Sequence, residues 1–264
     1  MESLIILKIG GNVIDDPPVF EAVLRDFAVW QTPRILVHGG GKIASKLMEK
    51  LGIAPKMVEG RRITDRETLD IVTMVYAGLI NKNMVATLQS HSCNAIGLTG
   101  ADANVIPARK RPVKEVDYGF VGDVDPACIP YETLGNFLKA GLVPVIAPLT
   151  HDGAGSLLNT NADTIASCVS IALAKMFRVQ LIFCFEKNGV LRDPADDNSV
   201  IDFLDETLFR QYKDEGVITA GMIPKLDNAF AALHSGVAEV RICNPDGLKA
   251  GQLGGTSIRF LSIV

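Results

Sequence analysis

Two lysines stand beside glycines where negative charge would be welcome. Lys8 interrupts the apolar run LIILKIGGN and is followed by Gly10 and Gly11. A lysine in an otherwise buried strand is costly unless its ammonium has a partner. Paired glycines let the backbone turn with no side chain in a ligand's way. A second strand ends in the same manner: ILVHGGGKIASKL leads from His38 through Gly39, Gly40 and Gly41 into a helical stretch. Backbone N–H groups at such a helix start, aided by the helix dipole, favour an anion. Neither run is the dinucleotide fingerprint or the P-loop. Lys225, in TAGMIPKLDNA, opens another helical stretch. A cation there opposes the dipole and calls for a local anion. His38 reads as a structural histidine rather than a base.

Further groups fit the same chemistry. Arg62, in EGRRITDRETLD, has the planar fork that matches a carboxylate through two hydrogen bonds. In LLNTNADTIAS, Asn159, Asn161 and Asp163 fall on alternate residues at a helix entrance, which is more polarity than one cap requires. Each feature alone has a plainer reading: a snorkelling lysine, a solvated arginine, a single cap. Together they supply two cations, glycine cradles for anions, a carboxylate clamp and an aspartate placed to hold lysines. Phosphoryl transfer needs that set, because its catalysis is positioning and charge cancellation. On this reading Lys8 meets a phosphoryl oxygen.

The elements that must hold these residues alternate along the chain. Apolar, β-rich runs occur near 3–8 and at 34–40, 95–98, 142–149, 179–185 and 238–243. Helical spacing occupies 17–30, 42–51, 64–90, 131–140, 162–176 and 225–236. Continuous apolar strands alternating with helices predict a parallel sheet covered on both faces. Thr64 and Glu67 predict a capping box at the start of 64–90. The polar, glycine- and proline-containing segment 104–125 predicts surface hairpins. The softest boundary falls near 176–180. The 264 residues carry 26 Lys and Arg against 30 Asp and Glu, a net charge of -4, which argues against a nucleic-acid binder. The five cysteines form no C-x-x-C pair and fit reduced thiols in a cytoplasmic protein. No secretory signal is visible and no uninterrupted apolar run reaches the length of a bilayer span.

The runs KIGGN, HGGGKIASKL, GRRIT, LNTNAD and GMIPK, in this order and spacing, with the closing GGTSI, resemble the amino acid kinase family nearly end to end. The resemblance implies an α/β fold, an αβα three-layer sandwich with a mainly parallel central sheet in two lobes. Residues 1–177 would bind the amino acid and dimerise, and residues 178–264 would bind the nucleotide. It implies ATP-dependent phosphorylation of the γ-carboxylate of N-acetyl-L-glutamate to the acyl phosphate, the second step of arginine biosynthesis. Mg2+ would be carried by the nucleotide, with no protein metal site. N-succinyl-L-glutamate is the alternative acceptor. Carbamate, aspartate and uridylate kinases of the same fold, or a catalytically silent nucleotide-binding regulator, are the remaining alternatives.

Carried over motif by motif, Lys8 and Lys225 stabilise the transferring phosphoryl group, and Asp163 orients those lysines. Gly10 and Gly11, with Gly40 and Gly41, offer N–H groups to phosphate and substrate. Arg62 pairs with the α-carboxylate and Asn159 bonds the substrate. The chain departs from the family at CFEKNGV, where Phe185-Glu186 replaces the frequent Thr-Asp, and at Lys42 and Arg61, two extra cations beside the predicted substrate lobe. Those two would serve a second carboxylate on the acyl group, or else are solvated charges. The chain opens directly on its first strand. A homodimer with little arginine feedback is expected, without nucleic-acid or membrane partners.

Overall fold

The computed structural model describes residues 1–58, 60–218, 221–249 and 253–261. Thr219 and Ala220, in the run expected to turn before Lys225, lie outside the described residues.

Eight strands form one sheet: β1 (Ser3–Ile9), β2 (Arg34–His38), β3 (Ala95–Leu98), β4 (Val143–Ile146), β5 (Arg178–Cys184), β6 (Phe203–Leu204), β7 (Glu239–Cys243) and β8 (Thr256–Ile258). Their order is β6-β8-β7-β5-β1-β2-β4-β3. The six strands from β7 across to β3 run parallel; β8 lies antiparallel to β7 and carries β6 parallel to itself. Strands β2 to β4 fill one side of β1 and β5 to β8 the other. β1 and β5 therefore meet where the strand order reverses, and ligands of such sheets bind outside the carboxyl ends at that point.

Helices cover both faces, as the continuous apolar strands demand. They are α1 (Gly11–Ile14), α2 (Pro17–Ala28), α3 (Gly41–Lys50), α4 (Arg66–Ser90), α5 (Tyr131–Lys139), α6 (Ala162–Leu173), α7 (Glu206–Asp214) and α8 (Ile223–His234). The α6 and α8 residues Ile165, Val169, Leu226 and Leu233 pack with Leu4 and Ile6 of β1. Leu24 and Phe27 of α2, with Leu69 and Met84 of α4, pack with Leu7 and Ile9 on the other face. Each fully buried leucine or isoleucine contributes about 1.5–3 kcal/mol relative to exposure.

The sequence expectations are refined in three places. Asp65, not Thr64, caps α4: its Oδ1 accepts from the Thr68 N–H at 2.9 Å. Thr64 is extended and fully buried, its N–H donating to the Tyr118 carbonyl and its hydroxyl to the Arg62 carbonyl. Segment 104–125 forms the expected hairpin only in part. Arg109–Lys110 pairs with Gly122–Asp123, yet Val105, Ile106 and Val121 are buried. The residues around 119–121 run between Thr64 and Asn159, bonded to both, so the segment belongs to a ribbon of short strands lying over the carboxyl ends of the sheet. Lastly, α4 is the one described helix long and apolar enough to cross a membrane by composition. Its Leu69, Val72, Met84 and Leu88 are buried in the core, the signature of a central core helix.

Candidate active site

Strand alternation puts Leu4, Ile6 and Lys8 on the face that packs against α6. The Lys8 ammonium therefore emerges at the carboxyl end of β1, where α6 begins. Asp163, in the first turn of α6, meets it at 2.7 Å. The lysine side chain is 14% exposed and the carboxylate 50%, so Asp163 is the solvated partner that makes a nearly buried cation tolerable. Asn161 caps α6, its Oδ1 accepting from the N–H groups of Asp163 and Thr164 at 2.8 and 3.1 Å. Of the alternating polar residues, Asn161 is the cap and Asn159 sits in the preceding strand, Leu157–Asn159.

The glycines differ in what they leave free. Gly39 N–H donates to the Ile9 carbonyl at 3.1 Å, and Gly10 N–H donates to the Cys184 carbonyl at 3.3 Å. This corrects the expectation that Gly10 offers its N–H to a phosphate: that group joins β1 to β5. Among the described residues, no acceptor meets the N–H groups of Gly11, Gly40 or Gly41. Gly40 has φ +154°, and a Cβ there would stand 2.4 Å from Ile80 Cδ1. The positive φ, with α4 crossing close by, favours glycine at that point.

Lys8, Gly11, Gly40, Gly41, Arg62 and Asn159 line a cavity of about 240 Å³. Arg62 is buried and donates to the Gly41 carbonyl at 2.9 Å and to Ser45 Oγ at 2.7 Å. Tyr76 lies beside it; burial pushes the phenol's pKa up, and the Arg62 charge opposes that shift. Asn159 Nδ2 donates to Thr64 Oγ1 at 3.0 Å, and Asn159 N–H donates to the Phe120 carbonyl at 2.9 Å. The ribbon thus fixes Arg62, Thr64 and Asn159 relative to one another through the backbone. Arg111 enters the same wall and was not singled out by sequence. Its Nε donates to Asp123 Oδ1 at 3.0 Å, while its buried Nη1 finds no acceptor among the described residues. The run PARKRP advertised cations, but nothing local says which one turns inward. With Lys8, Arg61, Arg62 and Arg111 facing it and Asp163 as the carboxylate on the wall, the cavity favours a multiply anionic ligand.

A second cavity of about 390 Å³ adjoins the first, with Lys8, Arg61, Asn161, Asp163 and Thr164 lining both. Ile171, Phe183, Phe185 and Ile242 give it apolar walls. Lys225, exposed in the first turn of α8, places its ammonium 4.0 Å from the Phe185 ring centroid, a cation–π contact. Asp163 pairs with Lys8; among the described residues it has no ion pair with Lys225, so of the two lysines expected on Asp163 one is there in this state.

Lys42 and Arg61 separate. Arg61 is exposed at the rim of both cavities. The Lys42 ammonium is bonded to Asn12 Oδ1 and lies 4.0 Å from Asp15, outside the lining of the smaller cavity. His38 is fully buried; its Nδ1 bonds the Gly39 carbonyl at 2.7 Å, and Nε2 faces Asn81 Nδ2 at 3.2 Å. Burial lowers its pKa from 6.5 to about 4. It is a neutral structural histidine.

A model of the amino acid kinase family matches residues 3–244. The acetylglutamate kinase of Cytophaga hutchinsonii is 55% identical over 249 residues, 94% of each chain. That of Bacteroides fragilis is 53% identical, covering 98% of this chain and 97% of the relative. A solved structure from Streptococcus mutans superposes with a TM-score of 0.76 at 29% identity, covering 97% of this chain and 98% of that one.

Proposed function

The chain belongs to the amino acid kinase family, and on that premise we propose that it phosphorylates the γ-carboxylate of N-acetyl-L-glutamate with ATP, as an acetylglutamate kinase of arginine biosynthesis. One observation carries the reading: Lys8, held by Asp163, lines both cavities. A group passing from a ligand in the larger cavity to a ligand in the smaller one passes beside that ammonium.

The cation-lined cavity fits the dianionic acylglutamate. The apolar-walled one fits a nucleobase and ribose, with the free N–H of Gly11 toward the phosphates. Residues 1–177 then form the amino-acid lobe and 178–264 the nucleotide lobe. Arg62, already oriented by Gly41 and Ser45, has its charge available for the α-carboxylate. Gly40 and Gly41 offer N–H groups to the substrate, and Asn159 bonds it. The γ-carboxylate is ionised near neutral pH and is its own nucleophile. One of its oxygens forms a bond to the γ-phosphorus while the bond to the β,γ-bridging oxygen breaks and ADP leaves. No proton moves, so no general base is needed, which agrees with a neutral His38. Lys8 cancels charge as it develops on the phosphoryl oxygens. Lys225 joins it by leaving the Phe185 ring. Mg2+ bound to the nucleotide would supply further charge neutralisation. Met74 and Leu79, both more than half exposed on α4, are the surface we assign to a homodimer. Free cysteines fit a reducing, cytoplasmic setting.

A second reading concerns the acyl group. Arg61 and the unpartnered Nη1 of Arg111 exceed what one α-carboxylate requires, and would serve the terminal carboxylate of N-succinyl-L-glutamate. Lys42 would take part only by leaving Asn12. ADP release with each acyl substrate, with hydroxylamine trapping the acyl phosphate, tests both readings. Hydroxamate with the acetyl substrate is expected. Turnover with succinyl alone would reassign the acyl group, and hydroxamate from neither would overturn the kinase reading.

A further inference from the structure

The run CFEKNG places Glu186 just past the carboxyl end of β5, beside the glycine turn of β1. The two ends are tied by Gly10 N–H on the Cys184 carbonyl. Beside that turn Asn12 Nδ2 donates to Glu186 Oε2 at 2.7 Å, and the Lys42 ammonium donates to Asn12 Oδ1. The neighbouring Phe185 carries the Lys225 ammonium on its ring. Glu186 is thus a carboxylate set among an amide donor and two cations, next in sequence to Phe185 of the larger cavity's wall. The carboxyl group is held below the usual range, first by its own backbone N–H and then by Asn12, Lys225 and Lys42, against some desolvation. It is ionised at neutral pH.

Three lysines near the glycine turn each have a counter-charge: Lys8 has Asp163, Lys42 has Asp15, and Lys225 lies in the field of Glu186. Asp163 is half-exposed in its ion pair with Lys8, and Asp15 sits behind Lys42. Glu186 is different, since its partner Asn12 follows directly on the free N–H of Gly11. A nucleotide phosphate at that turn would lie beside a like charge.

We propose that Glu186 is an anion gate: bonded to Asn12 beside the free N–H of Gly11, it sets a like charge against the nucleotide phosphate, so that it limits how tightly ADP is held. The proposal rests on the nucleotide reading of the larger cavity. A carboxylate in this role weakens nucleotide binding and hastens the departure of ADP, the product that the turn would otherwise retain. It acts on the nucleotide through charge, and is a positioning residue rather than a catalytic one.

The test is calorimetric titration of ADP, with and without Mg2+, into wild type, Glu186→Gln and Glu186→Asp at low salt. Glu186→Gln keeps an acceptor for Asn12 and removes the charge. ADP affinity is expected to rise about three- to tenfold in Glu186→Gln and to stay near wild type in Glu186→Asp. The gain should shrink at about 0.5 M salt, because the groups are exposed and screened. The KM for the acyl substrate should not move. Unchanged or weaker ADP binding in Glu186→Gln, or the same gain in Glu186→Asp, overturns the gate. Weaker binding confined to Mg-ADP also overturns it and makes Glu186 a metal contact. If wild type binds no ADP, the nucleotide reading itself falls and the gate with it; if wild type binds and Glu186→Gln does not gain, only the gate falls.

Discussion

The two cavities that meet at Lys8 are built in different ways. The smaller one is walled by backbone: Asn159, Phe120, Thr64 and Tyr118 are bonded strand to strand, and Arg62 is locked onto Gly41 and Ser45. The larger one is walled by side chains, and its cation Lys225 rests on an aromatic face with no ion pair among the described residues. The first arrangement is preorganised, so little ordering remains to be done when an anion arrives. The second is adjustable, as a site must be when a triphosphate enters and a diphosphate leaves. Lys8 belongs to both and is the most constrained, 14% exposed and 2.7 Å from Asp163.

The largest effect should come from the shared residue. Replacing Lys8→Met keeps an unbranched side chain close to the lysine stem and removes its charge; kcat is expected to fall about 10³-fold with little change in either KM. An effect on KM alone would make Lys8 a binding group and break the comparison. The preorganised side is tested next by Arg62→Lys. A lysine keeps the charge and loses the fork, and the contacts to Gly41, Ser45 and the α-carboxylate cannot all be kept. KM for the acylglutamate should rise about 30- to 100-fold while KM for ATP barely moves. Equal changes in both constants would show the two cavities to be one coupled unit.

The smallest effect concerns the support beneath the rigid side. His38 joins β2 to α4 through Asn81, whose amide also reaches the Val145 carbonyl at 2.9 Å. Its pKa is lowered from 6.5 in the open chain to about 4 in the fold. The unfolded chain therefore binds the proton more readily between those values, so stability is complete above pH 6.5 and declines as pH falls toward 4. From pH 6.5 to 5 the loss should be roughly 2 kcal/mol. Denaturant titrations at both pH values check this, and the slope should flatten in His38→Asn. An unchanged slope would assign the acid sensitivity to other groups.

Much of the fold could be read from the chain. The six longer strands and the helices α2 to α6 and α8 lie where apolar runs and helical spacing placed them, because those patterns follow from backbone periods of 2 and 3.6 residues, whereas α7 was not expected. The face of Lys8 followed too: it shares parity with Leu4 and Ile6. The family followed from ordered motifs, and relatives of the same length carry it. The cap of α4 was misplaced by one residue, since Thr64 is drawn into a strand bond with Tyr118 that local sequence does not announce.

What the sequence by itself determined, then, was the periodic part: which segments are strands or helices, which side of β1 Lys8 faces, and where glycine opens the backbone. The tertiary structure decided which atoms meet. The bond from Asn159 to Thr64 spans 95 residues, that from Asn12 to Glu186 spans 174, and neither partner carries a local mark of the other. The same holds for Gly10, whose N–H goes to Cys184, for Arg111, which turns inward among several cations, and for Lys42, which turns to Asn12. Periodicity is a property of neighbouring residues and is written in them; a hydrogen bond depends on where two distant segments come to lie, and that is set by the packing of the whole sheet.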